Sequence, residues 1–291
     1  MSLAAADFQF VSEMARRTAA IVIEKGKEYL VESRLEPVAL REGFTSLTEM
    51  LRSLRAGGRV DLLQEKIVDA LTTNETLFFR DPSAFEGLRK IIFPLLITQR
   101  ASARRLRIWS GACSSGQEPY SIAMMLRESF PELVSWSIEI VATDLSPTIL
   151  ARAKKGVYSQ IEVTRGLPAP YLAKYFRPDN PVDVTSSASP TGSRSPVMAS
   201  WAIADEIKKM VQFREMNLVQ SWPVMAPFDL ILMRNVMIYF DVETKKTILK
   251  KLRHCLASHG HLILGSTETT VNIDSAWKPV AVDKAAAYQV V

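Results

Sequence analysis

The densest chemistry in the 291-residue sequence lies in LRIWSGACSSGQEPYSIAMML, residues 106–126. An apolar, strand-like run there meets Gly111-Ala-Cys-Ser-Ser-Gly116 and then a helix with Pro119 near its start. Glycines let the backbone turn tightly beside a ligand, and the free N–H groups of a helix start attract negative or oxygen-rich groups. The spacing is neither G-x-G-x-x-G nor the Gly-Lys-Ser/Thr loop, which argues against a standard dinucleotide or triphosphate site. The next strand-like run ends in Ala142-Thr-Asp144. A carboxylate at a strand's carboxyl end accepts from both ribose hydroxyls or caps the following helix. Ser146, just before Pro147, is the better cap and leaves Asp144 for a ligand.

Four further groups complete the set. Gln117 and Glu118 stand at the helix entrance, where an acid serves the helix dipole or meets a cationic part of the ligand. Arg80 closes TTNETLFFRD, residues 72–81, together with Asn74 and Thr76. Its planar fork suits a carboxylate, while Phe78 and Phe79 read equally as a hydrophobic anchor. Arg234, Asn235 and Tyr239 stand where the apolar run of FDLILMRNVMIYFD stops, and Asn217-Leu218 comes shortly before it. Tyr239 either faces the ligand or packs its ring beneath the loop.

Other chemistries find less support. Cys113 and Cys255 are the only cysteines, with no C-x-x-C spacing, so neither a disulfide framework nor a thiolate zinc site is expected. No histidine lies near Cys113 to activate it. His254, His259 and His261 bracket what reads as a turn between a helix end and a strand; they are expected to be solvated, and no metal is predicted. Thirty-six basic and 31 acidic residues are interspersed, so the formal charge of +5 does not require a nucleic-acid partner. Apolar runs such as 91–97 are far shorter than the ~20 residues of a membrane span, and the cytoplasm is the expected compartment.

These residues need elements to hold them. Residues 1–72 read as a helical domain of about four helices, with Phe8, Val11, Met14 and Ala15, then Leu47, Met50, Leu51 and Leu54, at helical spacing. Thr45 or Ser46 is placed to cap the helix starting near Leu47. From Arg105 the pattern alternates strands (106–110, 138–144, 228–234, 261–266) with helices (118–130, 147–154, 242–256), the grammar of an α/β, doubly wound, mostly parallel sheet. A second domain is therefore expected over 73–291. Residues 178–196 are dense in Pro, Ser, Thr and Asp and read as a loop. Residues 201–203 and 210–214 are expected to pair as a small antiparallel flap inserted at about 177–214.

Taken together, TTNETLFFR, WSGACSSGQEPYSIAM, ATDLS, GVY, NL and FDLILMRNVMIYFD resemble the chemotaxis receptor methyltransferase family of the CheR type. The resemblance implies a helical N-terminal domain, a Rossmann-like sheet binding S-adenosylmethionine, and a β insertion that touches a receptor. It places Asn74, Thr76, Arg80, Gly111, Gln117, Asp144, Asn217, Leu218, Arg234 and Asn235 around the cofactor, with Arg80 and Tyr239 near the transferred methyl. The implied reaction esterifies glutamates of a receptor's cytoplasmic domain and leaves S-adenosylhomocysteine. The implied partner is that receptor, without nucleic acid or membrane insertion, and the enzyme is expected to be a monomer. Arg16, Arg17, Arg34, Arg52 and Arg55 either meet receptor acids or form a solvated face. Two rival readings are a non-catalytic cofactor-binding signalling adaptor and a nucleic-acid methyltransferase. Two features depart from the family pattern: a long Ser-Pro-rich flap, and Ser258-His259-Gly260 in place of Pro-Gly-Gly, where Gly260 is expected to supply a positive backbone dihedral.

Overall fold

The computed structural model describes residues 3–57, 60–179, 199–282 and 285–291. Four helices come first: α1 (Ala5–Ala19), α2 (Glu28–Arg41), α3 (Leu47–Arg55) and α4 (Val60–Leu71). Their apolar faces close on a core of their own, built around Val11, Leu35, Met50, Leu51 and Ile67. Of the two candidate caps of α3, Ser46 is the one used, and Thr45 is instead a donor to Glu49. Ser46 accepts from the Glu49 N–H at 3.2 Å, and the Glu49 carboxylate accepts from the Thr45 N–H at 2.7 Å.

Two helices, α5 (Pro82–Gly87) and α6 (Phe93–Arg100), lead through a π turn into the sheet domain. The chain then runs β1 (Arg105–Gly111), α7 (Gln117–Ser129), β2 (Ser137–Asp144), α8 (Pro147–Lys155), β3 (Val157–Ser159), α9 (Gln160–Thr164), α10 (Ala169–Tyr175), β4 (Phe176–Pro178), β5 (Ser200–Ile203), α11 (Asp205–Lys208) and β6 (Val211–Glu215). It finishes with β7 (Phe228–Met233), α12 (Val242–Cys255), β8 (Leu256–Leu264), β9 (Trp277–Val282) and β10 (Ala285–Val290). The main sheet has the order β6-β2-β1-β7-β8-β10-β9. It is parallel from β6 to β8 and antiparallel at β10 and β9. β7 is buried along its whole length, and β1 everywhere but Arg105, as near-continuous apolar strands covered on both faces should be. Separate apolar clusters cover the two faces. The fold is thus an N-terminal all-α domain followed by a mostly parallel seven-stranded sheet, with a small antiparallel sheet β3-β5-β4 beside it.

Several expectations are corrected. Residues 210–214 do not belong to the flap: β6 runs parallel to β2 at the edge of the main sheet, pairing Val211 with Ile140 and Glu215 with Asp144. Phe213 packs its ring 5.5 Å from Tyr120 on α7, and this apolar contact draws the strand to the core. The partners of β5 are instead β3 and β4, two three-residue strands too short to announce themselves by periodicity. Most of the Ser-Pro loop, residues 180–198, lies outside the described residues.

The expected turn at 258–260 is an irregular stretch within β8, where the register against β7 shifts between Phe228 and Leu230. Gly260 is not among the residues with positive φ; a Cβ there would meet the Leu256 side chain at 2.8 Å, so close packing is what calls for glycine. The histidines are not uniformly solvated. His254 is exposed, His259 Nε2 sits 2.7 Å from Asp229, and His261 is fully buried with both ring nitrogens unpartnered among the described residues. Burial, with His259 beside it, lowers the His261 pKa, so the ring is held neutral.

Candidate functional site

The carboxyl ends of β1, β2 and β7 lie side by side, with Gly111 paired to Thr143 on one flank and Met233 on the other. Open α/β sheets bind ligands at this edge. A cavity of about 1050 Å³, counted with its open mouth, sits there.

The bend after β1 forms one wall through strained backbone. Ala112 and Ser114 both have positive φ, 53° and 51°, which costs roughly 1–2 kcal/mol per non-glycine residue. The conformation aims the Ser114 N–H at Asp144 Oδ2 (2.7 Å), while the Ser146 N–H donates to Oδ1 at 3.0 Å. Burial raises the Asp144 pKa, and these N–H groups pull against that rise. Ser146 caps α8 as expected, through the Ile149 N–H. The Cys113 thiol is pushed well above its ordinary value by burial, with Asp144 and Glu118 adding to the rise, and it stays a neutral packing group.

A buried ion-pair network forms the floor. Arg234, its side chain 1% exposed, donates to Glu118 at 2.7 Å, to Asp81 at 2.6 Å and to the Arg80 carbonyl at 2.8 Å. Glu118 also accepts from the Ser110 hydroxyl at 2.7 Å, so its cationic partner within the protein is Arg234. The network ties the segment before α5 to the tip of β7. Phe78 anchors the same segment from below, fully buried edge-on to Tyr158 and Phe176, while Arg80 and Thr76 face the cavity. Phe78 thus acts as the anchor, and Thr76 and Arg80, two residues to either side of it, line the cavity.

Asn74, Thr76, Arg80, Asp144, Asn217, Leu218, Arg234, Asn235 and Tyr239 all line this one cavity. Gly111 and Gln117 do not. A Cβ on Gly111 would come 2.4 Å from the Met233 side chain, so glycine there permits β1 and β7 to pack. Gln117 is buried, accepting from Ser115 and donating to Glu162. Asn217 lines the wall but spends its amide on the Thr18 carbonyl at 2.8 Å and its oxygen on the Val219 N–H at 3.0 Å.

The helical domain supplies lining residues that sequence reasoning did not assign, Ala19, Ile21, Leu71 and Thr72, and Thr73 follows at the junction. Arg34 on α2 holds three of them, donating to the carbonyls of Leu71 (2.6 Å) and Thr72 (3.1 Å) and to the Thr73 hydroxyl (3.2 Å). Arg34 is therefore no free cation for a partner, and Arg55 is likewise engaged by Asp7 at 2.7 Å. Leu145 and Met216 add apolar surface beside Leu218. The register of β6 against β2 was the missing signal for Met216, because it carries the chain past Glu215 to the same edge as Asp144.

A buried carboxylate, an apolar slot and guanidinium donors at the carboxyl edge of a doubly wound sheet define the class of nucleotide-type cofactor enzymes. Residues 6–72 match the family described as "CheR methyltransferase, all-alpha domain", and residues 74–286 match "CheR methyltransferase, SAM binding domain". Chemotaxis protein methyltransferase 1 of Pseudomonas aeruginosa is 38% identical over 96% of this chain and 96% of its own. Chemotaxis protein methyltransferase Cher2 of Pseudomonas putida is 36% identical over 99% of each chain, and a chemotaxis protein methyltransferase of Vibrio anguillarum 35% over 94% and 93%. The chain belongs to the CheR family of S-adenosylmethionine-dependent methyltransferases.

The residues present fit that cofactor, a nucleoside joined through sulfur to an amino acid. Asp144 is an acceptor for hydroxyls, Leu145, Met216 and Leu218 offer an apolar slot, and the buried Arg234 Nε has no partner among the described residues. No group of three or more His, Cys, Asp or Glu side chains among the described residues could hold a metal ion, and no described helix is long and apolar enough to cross a membrane.

Proposed function

We propose that the chain methylates glutamate side chains on the cytoplasmic domain of a chemotaxis receptor, in the cytoplasm, yielding glutamate methyl esters and S-adenosylhomocysteine. The observation that carries this reading is that Arg80 and Tyr239, from two separate segments, line the cavity that also holds Asp144. The relatives' names, chemotaxis protein methyltransferases, support the receptor as acceptor.

The bound cofactor supplies an electrophilic methyl on a positively charged sulfur. Acceptance of that methyl by a glutamate carboxylate oxygen would give a neutral methyl ester and S-adenosylhomocysteine. A glutamate with an ordinary pKa of about 4.3 is already ionised at neutral pH, so the site needs no strong general base. The protein's contribution is position: aligning two reactants is worth roughly 7–11 kcal/mol. In this reading Arg80 steers the acceptor carboxylate with its fork of donors, the Tyr239 hydroxyl orients it, and Asp144 grips the ribose. Opposite charges neutralise as the bond forms, so a site from which the docked acceptor displaces water would favour the transition state.

The test is incubation with methyl-labelled S-adenosylmethionine and a receptor cytoplasmic domain, followed by mild base. Label released as methanol is the expected result. Label that resists base, or none transferred, overturns the proposal.

A further inference from the structure

The strands β7 and β8 stop at Met233 and Leu264, and one carboxylate joins the turns that leave them. Glu268 is buried at 7% exposure and does not line the cavity. Its Oε2 accepts from the backbone N–H of Gly265 at 2.7 Å and of Asn235 at 2.8 Å, and its Oε1 from that of Ile238 at 3.3 Å. Hydrogen bonds to a charged acceptor are roughly twice as strong as neutral ones.

Each donor belongs to a place where the backbone is special. Asn235 has φ +59°, a left-handed conformation that a side chain disfavours, and its N–H is held by Glu268. Ile238 lies in the 3-10 turn Met237–Tyr239 that brings Tyr239 to the cavity. Gly265 leaves the room the arrangement needs: a Cβ there would fall 2.8 Å from Glu268 Oε2 and 2.9 Å from the Asn235 amide nitrogen. The carboxylate thus pins the first and fourth residues of a five-residue run, 235–239, whose two ends face the cavity.

We infer that Glu268 is a positioning residue for methyl transfer, which acts by fixing Asn235 and Tyr239 in the cavity wall. This inference rests on the proposed reading of the cavity as a methyl-transfer site. If Glu268 served stability alone, its loss would lower the melting temperature and leave the folded protein's kinetics unchanged. A positioning role predicts changed kinetics in a protein that is still folded.

The experiment compares the full-length wild type with Glu268→Gln and Glu268→Asp. It measures S-adenosylhomocysteine affinity by calorimetry, kcat and KM on a receptor cytoplasmic fragment, and folding by circular dichroism. Glutamine keeps the volume but turns an NH₂ toward at least one N–H donor. The expected result for Glu268→Gln is a native spectrum, affinity weaker by about tenfold, and kcat lower by about a hundredfold with KM for the fragment little changed. Glu268→Asp, which keeps the charge but not the reach, should fall between the two. Wild-type affinity and kcat in folded Glu268→Gln overturn the inference, whatever the melting temperature does. If Glu268→Gln does not fold, Glu268→Asp decides alone, with lowered kcat at constant KM in support and wild-type kcat against. A wild-type protein that binds no S-adenosylhomocysteine or transfers no methyl overturns the proposed function instead.

Discussion

The cavity has two walls built on different principles. The sheet wall is held by backbone N–H groups within one strand-bend-helix-strand unit, residues 105–144, where the Ser114 N–H reaches the Asp144 carboxylate and the Cys113 N–H reaches the Thr143 carbonyl. The helical wall comes from the ends of α1 and α4, and its Leu71 also belongs to the helical domain's own core. It is held mainly by side chains reaching carbonyls, Arg34 to Leu71 and Thr72, and Asn217 to Thr18. The Arg16–Asp241 pair at 3.4 Å adds little, because exposed ion pairs are worth about 0–1 kcal/mol. The lesson is that one wall is intrinsic to the fold, whereas the other depends on a few replaceable ties.

The largest expected effect lies where the two walls face each other. Arg80→Ala should lower kcat on a receptor fragment by at least a hundredfold, about 2.7 kcal/mol, while the circular dichroism spectrum stays native. Wild-type turnover would remove Arg80 from the chemistry. On the sheet wall, Asp144→Ala should weaken S-adenosylhomocysteine by roughly 2–3 kcal/mol, since it deletes a buried acceptor and leaves the Ser114 and Ser146 N–H groups unpaired. Unchanged affinity in calorimetry would break the assignment.

The helical wall offers the sharpest contrast. Arg34→Ala should weaken the same ligand by about 1–2 kcal/mol without unfolding the sheet domain. Arg55→Ala, which breaks only contacts internal to the helical domain, should leave affinity unchanged. Equal effects from the two variants would mean that the helical domain acts through its stability and not through the wall.

The smallest effect concerns His261, in the strand that ends beneath the sheet wall. Its folded pKa lies below the ordinary imidazole value of about 6.5. Above that pH the ring is neutral in both states and contributes no pH dependence. As pH falls below it, the unfolded chain takes up a proton first and stability is lost until the folded pKa is reached. Thermal midpoints should therefore drop between pH 7 and pH 5.5 more steeply in the wild type than in His261→Leu. Parallel curves would show that the buried ring does not titrate differently on folding.

Much of the sheet wall was legible because its signals are local. A buried apolar run followed by glycine, an acid at a strand tip and a serine before proline each report on neighbours a few residues away, and β1, β2, β7 and α7 fall within about two residues of their expected limits. The rest depended on pairing. Nothing in Val211–Glu215 distinguishes a flap strand from a sheet edge until its register against β2 is known. Arg34 and Arg55 read as free cations because their partners, backbone carbonyls and Asp7, are distant in sequence. Ala112 and Ser114 carry no mark of a left-handed backbone, which only glycine advertises.

The sequence by itself determined the chemical inventory, the order of elements and the edge of the sheet where ligands bind, because periodicity, caps and glycine bends act over a few residues. Tertiary structure alone decided which groups remain available: Gln117 turned inward, Glu118 bound to Arg234, the helical domain became a wall, and Glu268 was recruited to hold Asn235. The physical reason is that a polar group is costly to bury without a partner, so most buried ones are paired. That partner is chosen by three-dimensional proximity, which a linear chain does not display.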